Sequence, residues 1–216
     1  LKKARFVCLF FVVGFFSRFK CGVGPRGNRW GARLLSGRNG EDEMEARRMK
    51  FEAVMAKTED AFTMGKIHSR SWQTAYKGIV PDEIVAAFTA DKQAERFARA
   101  IAARREEYYL FTVDGRPAGV ASLYRSHEDD EPDHVGEIYS IYFHPDFWGT
   151  PATQAGLEFC IKRLKSLGYS HLTIWVLCDN IRARRFYEKN GFVRDGRAQQ
   201  VTVGRPLWEV RYSMEV

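Results

Sequence analysis

Thirteen residues near the C-terminus, Asn180-Ile-Arg-Ala-Arg-Arg-Phe-Tyr-Glu-Lys-Asn-Gly-Phe192, constrain this chain more than any other stretch. They follow an apolar run, Leu172-Thr-Ile-Trp-Val-Leu177, of the length and composition of a buried strand. Asn180 is a good helix N-cap and Gly191 a good helix stop. Between them Ala183, Phe186 and Tyr187 fall at i, i+3, i+4 spacing and form one face. The segment therefore predicts strand, turn, short helix and glycine exit.

The rest of the body shows no repeat or low-complexity tract. A strand at 50–56 leads to a helix at 58–71. Trp72–Val80 is expected as a loop, followed by helical pieces at 81–88 and 91–105. Residues 108–113 and 117–125 alternate around Asp114-Gly115, a hairpin signature. An acidic loop, His127–His134, precedes a strand at 135–143. The loop His144–Thr150 then leads to a helix at 151–167, the clearest element. There Leu157, Cys160, Ile161, Leu164 and Leu167 recur at helical spacing, and Gly168 is the stop. Strand 171–177, helix 181–189 and short strands near 192–203 and 207–214 complete the chain. The unit from 135 to 177 has the length of a crossover between parallel strands. Hairpin and crossover together predict a mixed sheet flanked by helices, an α/β or α+β domain.

Charge divides the chain sharply. Residues 1–48 hold 11 Lys/Arg against 4 Asp/Glu, while residues 49–216 hold 23 of each, so the first segment carries the whole net charge of +7. The body gives no electrostatic reason to expect nucleic acid. Lys2, Lys3 and Arg5 precede an apolar run, Phe6–Phe16, shorter than the about 20 residues of a membrane span. The run looks like part of a signal peptide but lacks a small-x-small cleavage site. Arg18–Gly40 is rich in Gly and Arg and is expected to be poorly ordered. Within it, Gly22-Val-Gly24 and Gly27 follow no strand and do not read as a nucleotide loop. The folded body is expected to begin near Met49, with residues 1–48 a basic, disordered extension or a mis-assigned start. A membrane-surface anchor is the rival reading of that segment. The expected location is the cytoplasm, with no membrane span. Cys8, Cys21, Cys160 and Cys178 show neither zinc nor disulfide spacing; the latter two are expected as packed thiols, and no metal is expected.

The stretch from Val135 to Phe192 resembles the GCN5-related N-acetyltransferase (GNAT) family. The residues that carry the resemblance are Glu137-Ile-Tyr-Ser-Ile-Tyr-Phe-His-Pro145, Asp146-Phe-Trp-Gly149, the amphipathic helix, Leu172–Leu177, and Asn180-x-x-Ala183-x-x-Phe186-Tyr187-x-x-x-Gly191-Phe192. The element order from 50 to 214 is also similar. The resemblance implies a GNAT-like acyl-CoA N-acyltransferase fold, with a mixed, mostly antiparallel sheet. One stretch departs from the pattern. The family carries Gln/Arg-x-x-Gly-x-Gly/Ala, whose amides cradle the pyrophosphate of acetyl-CoA. Here Trp148 takes the polar position, and Pro151 and Thr153 take the two glycines. Pro151 has no N–H to donate. One charge-assisted hydrogen bond is worth roughly 1.5–3 kcal/mol, so acetyl-CoA affinity is expected to fall by about one to two decades. Thr150-Pro151 is also a good helix start. The N–H groups of Ala152, Thr153 and Gln154 are expected to point out of that helix as an anion site.

The resemblance implies transfer of an acetyl group from acetyl-CoA to a primary amine, of a small molecule or a protein N-terminus, by direct attack. Such chemistry needs a neutral amine, donors for the oxyanion and a proton for the leaving thiolate. Tyr187 matches the family position whose hydroxyl lies near the thioester sulfur and acts as general acid; the alternative is a ring packed on the sheet. Glu137 is the candidate base, on a strand whose alternation puts Glu137, Tyr139, Ile141 and Phe143 on one face. The alternative is an edge or solvent-facing carboxylate, and His134 and His144 are weaker rivals. By resemblance, the backbone of Ile141 and Phe143 pairs with the pantetheine arm like an added strand. Gly149, Thr150, Ala152, Thr153 and Gln154 face the pyrophosphate, and Asn180 meets the CoA arm as well as capping its helix. Trp72 and Tyr76 stand where the family places acceptor-side walls, with core filling the equal alternative. The acidic loop at 128–131, with Asp133, is either an attractor for a cationic amine or a solvated turn. The alternative function is a non-catalytic binding or sensor module with impaired CoA binding. A homodimer is compatible with either.

Overall fold

The computed structural model describes residues 49–128 and 130–216. The readings of residues 1–48 and of Asp129 lie outside them. Seven strands form one sheet: β1 (Phe51–Met55), β2 (Glu107–Val113), β3 (Arg116–Arg125), β4 (Val135–Phe143), β5 (His171–Leu177), β6 (Val193–Thr202) and β7 (Pro206–Glu215). Their order is β1-β2-β3-β4-β5-β7-β6. β4 and β5 are parallel, and the other neighbours are antiparallel. The helices are α1 (Ala61–Ala75), α2 (Asp82–Ala87), α3 (Ala90–Ala103), α4 (Pro151–Ser166) and α5 (Ile181–Lys189).

The helices form two layers. On one face, Leu157, Cys160 and Leu164 of α4 and Tyr187 of α5 pack on Phe111, Leu123, Ile138, Leu172 and Tyr212. On the other, Met64 and Ile67 of α1 and Phe97 of α3 pack on Val120. A third cluster, Trp72, Phe88, Val203 and Leu207, joins α1 to the β7 end. α4 lies close against β4 because residue 156 has no side chain: a Cβ there would meet Phe143 Cζ at 2.4 Å. Gly156→Ala should therefore destabilise the fold by about 1–3 kcal/mol, read as a lower urea midpoint at an unchanged slope.

Two local expectations are corrected. Trp72 belongs to α1 and not to a loop, because α1 runs to Ala75. Its buried stripe of Met64, Ile67, His68, Ser71 and Trp72 continues at helical spacing, and after Trp72 no breaker occurs before Gly78. The second correction concerns β4. Ser122 pairs with Ser140 but Leu123 pairs with Ile138, so Tyr139 is an extra residue, a β-bulge. The bulge resets the alternation. Ile141 and Phe143 pack with the α4 layer. Glu137 points the other way, because its neighbour Gly136 faces Tyr169 and Leu164 on the α4 side. Glu137 thus does not share a face with Ile141 and Phe143.

His68 supplies a pH-dependent element of stability. Its ring lies among Phe88, Phe97 and Tyr142, at centroid distances of 5.0, 5.5 and 4.4 Å. Both ring nitrogens are buried without a hydrogen-bond partner among the described residues. Burial, and then the charge of Arg96, push its pKa down from 6.5 to about 3. Below pH 6.5 the unfolded chain gains a proton at His68 that the fold refuses, so this contribution is lost progressively as pH falls toward 3. The melting temperature should drop between pH 6.5 and about 4, and His68→Leu should flatten that decline.

Candidate active site

The site begins where two strands part. β4 pairs with β5 only from Val135–Glu137 against His171–Thr173; beyond this β4 runs on to Phe143 and β5 to Leu177 with a gap between them. His144 N–H donates to Ala118 on the β3 side at 2.8 Å. Backbone direction alternates along an antiparallel strand, so Phe143 and Ile141 turn their N–H and C=O groups toward the gap. Those are the two residues expected to present an open edge.

At the open end of the gap lies the loop before α4. Gly149 has φ +74°, a left-handed conformation that suits glycine. Thr150 caps α4 and Pro151 opens it, as expected. The N–H groups are less available than expected. That of Ala152 donates to Thr150 Oγ1 at 3.3 Å, and that of Thr153 returns to the Thr150 carbonyl at 3.3 Å. The cap that makes Thr150 a good helix start therefore uses the same donors an anion would need. Gln154 turns its side chain to Glu158 at 3.1 Å. Trp148 donates its indole N–H to the Phe143 carbonyl at 2.8 Å, and the Arg182 guanidinium lies over the Trp148 ring at 3.9 Å. This indole and cation span the mouth from the α4 loop to the first turn of α5. Sequence reading missed Arg182, because nothing local links it to Trp148.

α5 carries Tyr187 into the core layer shared with α4. Asn180 Oδ1 accepts from Ala183 N–H at 3.2 Å, so its capping role is met. Arg184 fixes the helix from below, donating to the Cys178 carbonyl at 2.9 Å and to the Tyr212 hydroxyl at 3.1 Å. Tyr212 in turn donates to Glu188 at 2.5 Å. Tyr187 is buried among Phe186, Phe192 and Tyr212. Burial, and then the neighbouring Tyr76 and Cys160, push its phenol well above the ordinary tyrosine range. Tyr76, just after α1, is itself buried in the cluster of Trp72 and Phe88, its ring 4.9 Å from that of Trp72. Trp72 does not reach a cleft: it is 0% exposed and stacks on Phe88 at 4.1 Å. It fills the core, the other half of the expectation made for it.

Glu137 stands where the pairing of β4 and β5 ends. Its side chain is 3% exposed, not solvent-facing. One oxygen accepts the backbone N–H of His127 at 3.1 Å and lies 3.2 Å from His127 Nδ1. His134 is exposed, and His144 caps the turn Pro145–Phe147, accepting from Asp146 N–H at 3.4 Å. The histidine beside the carboxylate is thus one that sequence spacing did not single out. The acidic loop is not a free attractor: Asp130 and Asp133 are exposed, as in a solvated turn, but each described carboxylate from 130 to 133 meets an arginine. Arg197 pairs with Asp130 at 2.9 Å, Arg211 with Glu131 at 2.6 Å, and Arg125 with Asp133 at 2.8 Å. Arg211 also holds Asp195 at 2.5 Å, so the loop is clasped to β6 and β7.

The described residues thus form a parallel pair that parts after its first residues, with a helix N-terminus at the open end. A sequence model of the Acetyltransferase (GNAT) family matches residues 69–192, more than half of the chain. The protein belongs to that family of N-acetyltransferases. It is similar to an uncharacterized N-acetyltransferase of Mycobacterium bovis, at 29% identity over 138 residues, 63% of this chain and 85% of the relative. A mycothiol acetyltransferase of Geodermatophilus obscurus is 33% identical over 66 residues, 31% of this chain and 21% of that protein. Among solved structures, the PaiA N-acetyltransferase of Thermoplasma acidophilum in complex with coenzyme A superposes with a TM-score of 0.59 at 19% identity, over 77% of this chain and 99% of that one. YncA of Salmonella typhimurium, with acetyl-CoA, gives 0.57 at 18%, over 76% and 93%. At these identities the structural likeness is one of fold. Among the described residues no helix is long and apolar enough to cross a membrane.

Trp148 stands at the mouth, so acetyl-CoA entering the gap should change its emission. Titration with acetyl-CoA should alter intrinsic fluorescence, and Trp148→Phe should remove most of that change. An undiminished response in the variant would put the binding event elsewhere.

Proposed function

We propose that the protein transfers the acetyl group of acetyl-CoA to a primary amine, of a small molecule or a protein N-terminus, by direct attack. The observation that supports this reading is the parting of β4 and β5 after Glu137 and Thr173; Tyr187 would stand in the wall of the gap that follows. The backbone of Ile141 and Phe143 would receive the pantetheine arm as an added strand. Gly149, Thr150, Ala152, Thr153 and Gln154, at the start of α4, would face the pyrophosphate, with the Thr150 cap yielding to a stronger anionic acceptor. Asn180 would meet the arm at the foot of α5, and Tyr76 would line the acceptor side. The folded catalytic unit is residues 49–216.

The chemistry follows from two proton problems. A lysine-like amine is neutral in only roughly one molecule in a few thousand at pH 7, so a base is needed; Glu137 would take that proton. The thiolate must leave with its charge stabilised. A phenol raised as far as that of Tyr187 stays protonated but yields its proton reluctantly. Its contribution is therefore a hydrogen bond that strengthens as charge develops on sulfur. Tyr187→Phe and Glu137→Gln should each lower kcat by about 10²–10⁴, with the KM for acetyl-CoA within about twofold of wild type. The assay is CoA release against a panel of primary amines, and equal rates in wild type and both variants would remove the mechanism.

A second reading, a non-catalytic binding or sensor module, is favoured by one group of observations. Pro151 lacks a donor, the Ala152 N–H is capped by Thr150, and Trp148 occupies the Phe143 carbonyl. Calorimetry with acetyl-CoA separates the two readings, since a module that has lost CoA gives no heat even at millimolar concentration.

A further inference from the structure

His127 follows β3 and lies between two carboxylates, one just before β2 and one on β4. Its backbone N–H and its Nδ1 both address Glu137 Oε2, at 3.1 and 3.2 Å. Its Nε2 lies 3.5 Å from Glu106 Oε1, just before β2. The rings of Tyr124 and Tyr139 flank the imidazole at 4.8 and 4.6 Å and fix its plane. The Tyr108 hydroxyl donates to Glu106. The titratable groups facing His127 are thus Glu106 and Tyr108 from the β2 side, Tyr124 from β3, and Glu137 and Tyr139 from β4. Arg96 of α3 acts on Glu106 through its charge.

A carboxylate as buried as Glu137 persists as an anion only when paired and hydrogen-bonded. A general base must be an anion, and aimed, before the amine arrives. We propose that His127 is a positioning residue for acetyl transfer: held between Glu106 and Glu137, it keeps the Glu137 carboxylate paired and oriented toward the incoming amine. This rests on Glu137 being the base. The proton balance is simple. As the amine nitrogen bonds to the acyl carbon, one of its N–H bonds breaks and a Glu137 O–H bond forms; the C–S bond breaks and coenzyme A leaves as the thiolate, while His127 keeps its own proton. Glu106 has a reason to be there: it holds the imidazolium during the interval in which Glu137 is neutral. Glu137 then releases its proton to solvent and the pair is restored.

The electrostatics agree with the geometry. Burial opposes the charge on His127, but hydrogen bonds to Glu106 and Glu137, and then their charges, push its pKa up from 6.5 to about 9. Burial likewise opposes the charge on Glu106, and the hydrogen bonds of His127 and Tyr108 outweigh it, holding that carboxyl below its ordinary range. The imidazolium is present below about pH 9 and is lost as pH rises through that value, so kcat/KM should fall on an alkaline limb there.

The test uses the full chain. The ring protons of His127 are followed by NMR in wild type, Glu106→Gln and Glu137→Gln. Titration near pH 9 in wild type, falling by about one unit or more in each variant, is expected. Titration near the ordinary histidine value overturns the proposal. In parallel, CoA release is measured with glycinamide, a weakly basic amine already neutral below the alkaline limb. His127→Gln keeps an N–H donor but no charge. It should lower kcat about tenfold, less than loss of the base itself, leave the KM for acetyl-CoA unchanged and erase the limb. Should it misfold, Glu106→Gln gives a second reading, because it should move the limb to lower pH. A His127→Gln enzyme with the wild-type rate and profile, beside an impaired Glu137→Gln enzyme, sinks the positioning role and leaves the base intact. A Glu137→Gln enzyme as fast as wild type sinks the base and the positioning role together.

Discussion

β4 and β5 stop hydrogen-bonding to each other after Glu137 and Thr173, and the reacting side of the molecule is organised by that parting. The bulge at Tyr139 lies just beyond the last paired residue. Bulges bend a strand and increase its twist, so β4 keeps its pairing with β3 while leaving β5. The consequence is unusual for a sheet interior: backbone groups of Ile141 and Phe143 face a gap rather than a neighbour. Such groups are costly unless something pairs with them. The Trp148 indole supplies one partner, at the Phe143 carbonyl. An acyl-CoA arm, which carries amides of its own, would supply more.

The two ends of the gap differ in electrostatic character. At the open end stand a cation stacked on an indole, Arg182 on Trp148, and the start of α4. At the closed end, Glu137 is balanced by His127, and the nearby Arg211 by Glu131 and Asp195. The acidic loop carries much of the negative charge near the closed end, yet its arginine partners answer most of it. Its effect on an acceptor therefore runs through the shape it gives β6 and β7 more than through a bare field.

What was legible in the residues was local. Asn180 as a cap, Gly191 as a stop, Thr150-Pro151 as a helix start and the Asp114-Gly115 hairpin all rest on interactions within a few positions, and each is found as read. Contacts made across the sheet were not legible. His127 meets Glu106 only because β2 and β4 flank β3. Arg211 reaches Glu131 across 80 positions of sequence. Trp72 could be read as wall or core from its type alone, and only the stacking of Phe88 against it decides for core. The bulge at Tyr139 was hidden for a related reason. Strict alternation is the default for a strand, and one extra residue that reverses it leaves no mark in composition.

The sequence by itself determined the family and the order of elements, because caps, stops and apolar periodicities are short-range and survive without knowledge of partners. It also determined that Pro151 would withhold a phosphate donor, since that is a covalent property of the residue. Tertiary structure alone decided which face Glu137 takes, what charge stands beside it, and that the Trp148 indole engages the Phe143 carbonyl. Those outcomes depend on register, and register is settled only when strands distant in the chain pack against one another.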